Sequence, residues 1–414
     1  LSATRPAFAE IDLDAIAGNA RLLARLVAPA RLCAVVKADA YGHGAVPVAR
    51  ALTKSGVPML AVALVAEGIE LRNAGIDVPV LVLSECAPDE TDEAVGAGLG
   101  LTVYSAGAVR EAEAAARRLG RRARVHLKVD TGMHRVGADL EDLGTIAQLI
   151  DGSDALELEG LFTHLAVADD PEDPFTDVQL ERFARARAEL SAMGIVPHYV
   201  HVANSAAAIS RADSRLDIVR CGIAIYGHLP SEAISPSLDD ATGDRLKPAM
   251  SIHAKVSFIR RLRRGERLSY GRQIPLPDDA FVATVPIGYA DGLPRALGAK
   301  GGAVLIGGVR RPIAGTVTMD QIMVNCGGSG DVAPGDPVVL LGRQGDETIT
   351  SEEWAERTGT IAYEVLCRIG PRLPRTYRGE VADRLSTPPS QPGFVVTAPG
   401  AVAAPSGQAV VRPR

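Results

Sequence analysis

Lys37 closes a short apolar run, Leu32 to Val36, and opens a loop that carries Tyr41, Gly42, His43 and Gly44 in the stretch LCAVVKADAYGHG. A run of that length reads as a strand buried on both faces, and the two glycines mark where it stops. A lysine at the mouth of such a strand can lose its proton through desolvation and become an amine nucleophile able to form a Schiff base. Taken alone, the pattern is better explained by a solvated lysine at a strand end. Only further residues converging on the same place reverse that reading.

Those residues are far apart in sequence: Lys128, Asp130 and Arg135, then His164, Asn204 with Ser205, and Arg220 with Gly222 and Ile223. Nearly all lie at or just beyond the end of an apolar stretch. Candidate strands fall at 32–37, 59–65, 78–84, 99–104, 125–130, 156–164, 199–204 and 216–220. Helix-like segments separate them, clearest at 105–119, where Ser105 can cap the start and Gly120 can end it. A first helix fits 13–27, capped by Asp12 or Asp14. Eight such units in about 225 residues match a parallel (β/α)8 barrel of the TIM type better than an open doubly wound sheet. No GxGxxG follows the first strand, which weakens a dinucleotide site.

In a barrel the strand ends converge on one face, and the loops after the last two strands often hold phosphate. Here those loops are Asn204-Ser205 and Gly222-Ile223. A phosphate-bearing cofactor facing a lysine suggests pyridoxal 5'-phosphate. Singly, His164 reads equally well as a satisfied core histidine and Arg220 as an ion-pair partner; jointly they read as a site.

Length and composition frame this. A chain of 414 residues is too long for one ordinary core and suggests two domains. With 47% hydrophobic and 23% charged residues it is not broadly disordered, and a net charge of −6 leaves no footprint for nucleic acid. No apolar run approaches the roughly 18 residues a bilayer span needs, and no signal-peptide pattern opens the chain, so a cytoplasmic protein that does not engage membranes is expected. Five cysteines without CxxC spacing imply neither a disulfide framework nor a zinc site, and no metal is expected. The barrel should span 14–240. From 241 to 384 short alternating runs (252–258, 281–287, 303–306, 322–324, 337–341) predict a mainly β domain, with one helix near 351–358 capped by Ser351. Residues 385–414 hold six prolines and predict a disordered tail or a crossing arm.

AVVKADAYGHGA (34–45), VDTGMHRVG (129–137), FTHLAVAD (162–169), HVANSAA (201–207), VRCGIAIYG (219–227), SYG (269–271), PIGYADG (286–292), TVTMDQ (316–321) and AYEVLCRI (362–369) together resemble the motifs of alanine racemases. The resemblance runs from about residue 5 to 384 and includes both domains. It implies a homodimer with shared sites, a pyridoxal-phosphate barrel, and a β domain that takes in residues 1–13. It also implies L- and D-alanine interconversion, supplying D-alanine for peptidoglycan. By motif, Lys37 would carry the cofactor and act as one base, and Tyr270, from the partner subunit, as the other. One base on each face of a planar intermediate suits a racemase. Arg135 and the backbone N–H of Met319 would meet the substrate carboxylate. Tyr41, Ser205, Gly222, Ile223 and Tyr363 would hold the phosphate, with His164 and Asn204 beside the cofactor and Arg220 against its ring nitrogen. A chain from Tyr270 through His164 to Arg220 would help the phenol act as a base, and Lys128 would be carbamylated. Without the motifs, Tyr270 reads as a wet strand tyrosine and Met319 as core filling. His134, before Arg135, stands at a variable position. Rival readings are a racemase of serine or of broad specificity, a barrel-type pyridoxal-phosphate decarboxylase, and a non-catalytic cofactor carrier. Arg220 argues against the decarboxylase, since an arginine cannot accept the ring proton. The β domain argues against the carrier.

Overall fold

The computed structural model describes residues 5–272 and 274–380; the tail expected from 385 lies outside the described residues. Strand β1 (Phe8–Asp12) leads directly into a helix, Leu13–Val27, because the Asp12 carboxylate accepts the Ala15 N–H at 2.9 Å and caps it. Eight parallel strands follow: β2 (Arg31–Val35), β3 (Met59–Val62), β4 (Val80–Val82), β5 (Leu101–Val103), β6 (Ala123–Lys128), β7 (Leu156–Phe162), β8 (Tyr199–His201) and β9 (Ile218–Cys221). They form two four-stranded arcs, β4-β3-β2-β9 and β5-β6-β7-β8. Gly100 joins β4 to β5 by accepting from Val82 (2.9 Å) and donating to Val80 (2.8 Å), and Asp217 and Arg220 donate to Val200 and Ala203 (both 3.0 Å) to join β9 to β8. The barrel is therefore closed, as the eight apolar runs predict. Seven of the eight strands are shorter than their runs, and β6 is shifted two residues earlier; β2 stops at Val35, so Lys37 lies beyond the strand and opens the turn that follows. The helix Ala106–Arg118 begins at Ser105, whose Oγ accepts the Ala108 N–H at 3.1 Å.

The second domain is built from β10 (Met250–Lys255), β11 (Phe258–Leu262), β12 (Ala280–Val285), β13 (Ala303–Ile306), β14 (Val309–Pro312), β15 (Ile322–Asn325), β16 (Pro337–Gln344), β17 (Glu347–Ile349) and β18 (Arg375–Arg378). One sheet runs β14-β13-β16-β10-β1-β18 and another β11-β12-β15. The alternation at 252–258 is thus two strands in two sheets. Val256 donates to Asp336 (3.0 Å) in the first sheet and Ser257 to Thr284 (2.8 Å) in the second, so the chain changes sheets between them. β1 pairs antiparallel with β10 and parallel with β18, which stitches the N-terminal segment into this domain. The helix Ser351–Thr358 is capped one residue earlier than expected: Thr350 is extended and its Oγ1 accepts the Glu353 N–H at 3.1 Å, which leaves the Ser351 hydroxyl to meet His228. Among the described residues no helix is long and apolar enough to cross a membrane.

Candidate active site

The turn after β2 is left-handed. Ala38, Asp39, Ala40 and Tyr41 all have φ between 52° and 54° although none is glycine, a conformation that costs roughly 1–2 kcal/mol per residue. Its surroundings hold it there. The Ala38 N–H donates to Glu67 Oε1 (2.6 Å), the Ala45 N–H to Asp39 Oδ1 (2.7 Å), and His43 Nδ1 to the Ala40 and Tyr41 carbonyls (3.0 Å each). Burial presses the His43 imidazole down to about 3, so it stays neutral. From the second domain Arg375 donates twice to the Gly42 carbonyl (3.1 and 3.0 Å), and a Cβ at Gly42 would strike the Leu366 carbonyl at 2.5 Å.

This turn points Lys37 and Tyr41 into the barrel mouth. Burial, followed by the Arg135 guanidinium, lowers the Lys37 amine from its ordinary value, while Glu67 opposes both. The Tyr41 ring lies 4.9 Å from Tyr226 and 6.2 Å from Tyr363, which comes from the second-domain helix Ala362–Cys367. Opposite it, Ser205 Oγ accepts the Gly222 N–H (2.9 Å), and Ile223 opens a 3-10 turn whose first N–H groups have no partner within the turn. A Cβ on Gly222 would run into the Tyr41 hydroxyl, so only glycine lets the phenol and the backbone amides share one pocket. Asn204 is otherwise engaged: its Oδ1 caps the next helix through Ala207 (3.0 Å) and its amide donates to the Leu165 carbonyl (3.4 Å).

Deeper in the mouth lies Arg220, 4% exposed. It donates to the carbonyls of Thr163 (2.8 Å), Val202 (3.1 Å) and His201 (3.2 Å), to His164 Nδ1 (3.3 Å) and to His201 Nδ1 (2.9 Å). Burial pulls its guanidinium down to about 10, still protonated near neutrality. Lys128, 5% exposed, is lowered to about 8 by burial and then by Arg220 and Arg135, with Asp130 opposing. Sequence reasoning missed what continues from Arg220. His201 Nε2 meets His126 Nδ1 at 3.0 Å, and His126 Nε2 meets Glu159 Oε2 at 2.9 Å. An arginine can only donate, so His201 must accept at Nδ1 and carry its proton on Nε2, and His126 must do the same. Every donor in the chain points from Arg220 towards the carboxylate. Burial raises Glu159, but the hydrogen bond from His126, with Arg124 and His198 nearby, outweighs it and keeps the carboxyl ionised. The signal was present: His126 and Lys128 share a face of β6, and Gly160 opposite has no Cβ to collide with the His126 ring.

Tyr270 and Met319 lie elsewhere, together, on the second domain. Tyr270 is 72% exposed and Met319 51% exposed. Ser269 Oγ donates to the Thr316 carbonyl (2.6 Å), Thr316 Oγ1 to the Tyr270 carbonyl (3.3 Å), and the Tyr289 and Ala290 N–H groups to Thr318 and Met319 (3.0 and 3.1 Å). Three motifs thus form one face, with Asp320 paired to Arg372 and Asp291 to Arg5 (both 2.7 Å) at its base.

Residues 11–230 match the model of the alanine racemase N-terminal domain, and residues 249–377 that of the C-terminal domain. The chain belongs to the alanine racemase family. It is 44% identical over 382 residues to the alanine racemase of Symbiobacterium thermophilum, covering 92% of this chain and all of that one. The solved alanine racemase of Streptomyces coelicolor A3(2) superposes with a TM-score of 0.85 at 39% identity, covering 91% of this chain and 99% of that one. The alanine racemase of Bacillus anthracis with bound L-Ala-P gives 0.84 at 38% identity, covering 91% and 96%. As an alanine racemase the protein is an isomerase that interconverts L- and D-alanine with pyridoxal 5'-phosphate. The mouth fits that cofactor: a hydroxyl and backbone N–H groups at Ser205 and Gly222 beside Tyr41 around a space that a Cβ at 222 would fill, an amine held below its ordinary value by burial, and a buried cation.

Proposed function

We propose that the enzyme works as a homodimer in the cytoplasm, each active site joining the barrel mouth of one subunit to the Tyr270–Met319 face of its partner. The observation that carries this is the separation within one chain: the mouth gathers Lys37, Arg135, Lys128, His164 and Arg220, while Tyr270 stands largely exposed on the other domain. A racemase that removes a proton from one face and returns it on the other needs a base on each side.

In this reading Tyr41, Ser205, Gly222, Ile223 and Tyr363 bind the cofactor phosphate, and Lys37 holds the other end. The bound cofactor withdraws the electrons of the broken Cα–H bond. Arg135 and the Met319 N–H orient the substrate carboxylate. Lys37 Nζ takes the α-proton of D-alanine, and Tyr270 Oη that of L-alanine. Arg220, which can only donate, would meet the cofactor's ring nitrogen without bringing it a proton acceptor, and so would favour prompt return of the proton. His164, on Arg220, is the first link towards the partner's Tyr270. Lys128, lowered to about 8, adds through its neutral amine to carbon dioxide: an N–C bond forms, a proton leaves to solvent, and the resulting carbamate accepts hydrogen bonds from Arg135. Labelled bicarbonate should then appear on Lys128 by NMR, and an unmodified amine in active enzyme would remove that step.

Mixing inactive Lys37→Ala with inactive Tyr270→Phe tests the shared site. Random reassortment puts half the chains in hybrid dimers with one of two sites intact, so about a quarter of wild-type activity should return. No recovery in demonstrated hybrids would mean that both bases come from one chain.

A further inference from the structure

We propose that Glu67 is a positioning residue for Lys37, gripping the first peptide of the left-handed turn so that the amine stays aimed into the mouth. This rests on Lys37 being the reacting lysine. Glu67 sits in the first turn of the helix Val65–Asn73, after β3, where a glutamate ordinarily serves its own helix start. One oxygen does so: Oε2 accepts the N–H groups of Ala63 (2.9 Å) and Leu64 (3.1 Å). The other leaves the helix and takes the Ala38 N–H at 2.6 Å, 29 residues away in sequence. Ala38 is where the backbone turns left-handed, so the bond fixes the strained conformation at the peptide that carries the Lys37 carbonyl. Glu67 is also the carboxylate whose charge bears on this amine. The other ionisable groups bearing on Lys37 are Arg135 and the Cys367 thiol, and Lys128 and His164 share its surroundings. Of the groups whose charge bears directly on Lys37, Glu67 is the carboxylate and Arg135 the cation. A lysine base must also hold the proton it takes, and the negative charge of Glu67 stabilises that protonated form.

The site carries its own control. Glu85, in the loop after β4, makes a clamp of the same chemistry, accepting the N–H groups of Tyr104 (2.6 Å) and Ser105 (2.7 Å). Glu67→Gln cannot satisfy all three donors, because its amide nitrogen cannot accept. The test is competitive acetylation of the full-length chain freed of cofactor, mapped by peptide mass across pH. The midpoint for Lys37 should fall by roughly 0.5–1 pH unit in Glu67→Gln and stay at the wild-type value in Glu85→Gln. Hydrogen exchange at Ala38 should quicken at least tenfold in Glu67→Gln alone. A wild-type midpoint and wild-type exchange in Glu67→Gln, or the same changes in Glu85→Gln, would overturn the assignment. Should Glu67→Gln fail to fold, Glu67→Asp, too short to reach both Ala38 and Leu64, is read in the same way. If borohydride reduction of the holoenzyme labels a lysine other than Lys37, the reading of the site fails, whatever Glu67 does.

Discussion

The two regions that carry the motifs are built on opposite principles. At the barrel mouth polar side chains bind polar side chains: Arg220 is buried and reaches two histidines and three carbonyls, and a left-handed turn is pinned from three directions. On the second-domain face, Tyr270 and Met319 project while the backbone beneath them supplies the order. At the mouth the groups are set by burial, whereas on the face the exposed side chains stand on an ordered backbone. Buried charges and strained turns need an entire fold around them; a tyrosine hydroxyl needs only to be presented.

The sharpest way to break the comparison is to remove from each region the residue proposed as a base. Lys37→Ala should lower racemisation by at least about 10⁴-fold, since in the proposed arrangement it removes both a base and the cofactor's covalent anchor. Polarimetry on L-alanine measures this, and activity within tenfold of wild type would contradict it. Tyr270→Phe should cost about 10²–10⁴-fold. In deuterated solvent its α-hydrogen exchange should be lost far more from L-alanine than from D-alanine; equal losses would deny that the face works on one side only.

Acid separates the halves by stability. The folded chain refuses a proton at His43 that the unfolded chain takes up near 6.5, so this contribution is intact above 6.5 and is lost as pH falls through 6.5 towards about 3. The slope reaches at most about 1.4 kcal/mol per pH unit per group, and His201 and His164, also held well below the ordinary value by burial, add in the same sense. Between pH 6.5 and 5, before Glu352 with its value near 2 can contribute, urea midpoints of the wild type should fall and those of His43→Asn should fall less steeply. Parallel curves would show that His43 is not held neutral. The smallest effect belongs to the face. Met319→Ala should change stability by no more than about 0.5 kcal/mol and activity less than threefold, because the proposed contact is made by the Met319 backbone N–H; a hundredfold loss would assign the role to its side chain.

Much of this was legible in the sequence. Eight apolar runs gave eight strands, and the residues at their ends met at one mouth. The left-handed turn was not, because ADAY carries no glycine to announce it and its conformation is imposed by the neighbouring His43 together with Glu67 and Arg375 from elsewhere. Lys37 was placed on a strand for the same reason. His126, His201 and Glu159 were passed over as strand residues. Their inward parity was readable, but pairing between β6, β7 and β8 was needed to show that they touch. The cap at Thr350 was missed by one residue because Ser351 is an equally good capping type, and only its meeting with His228 decides between them.

The one-way chain from Arg220 to Glu159 also bears on how such a site can change over evolutionary time. An acidic residue at position 220 would need a donor where His201 now offers a lone pair, so the His201 proton would move to Nδ1, the His126 proton would follow, and Glu159 would have to take up a proton that Arg124 and His198 oppose. No single substitution accomplishes that. The hydrogen-bond polarity of the barrel interior acts as a ratchet: exchange of the cation at 220 for a carboxylate requires His201, His126 and Glu159 to reverse together.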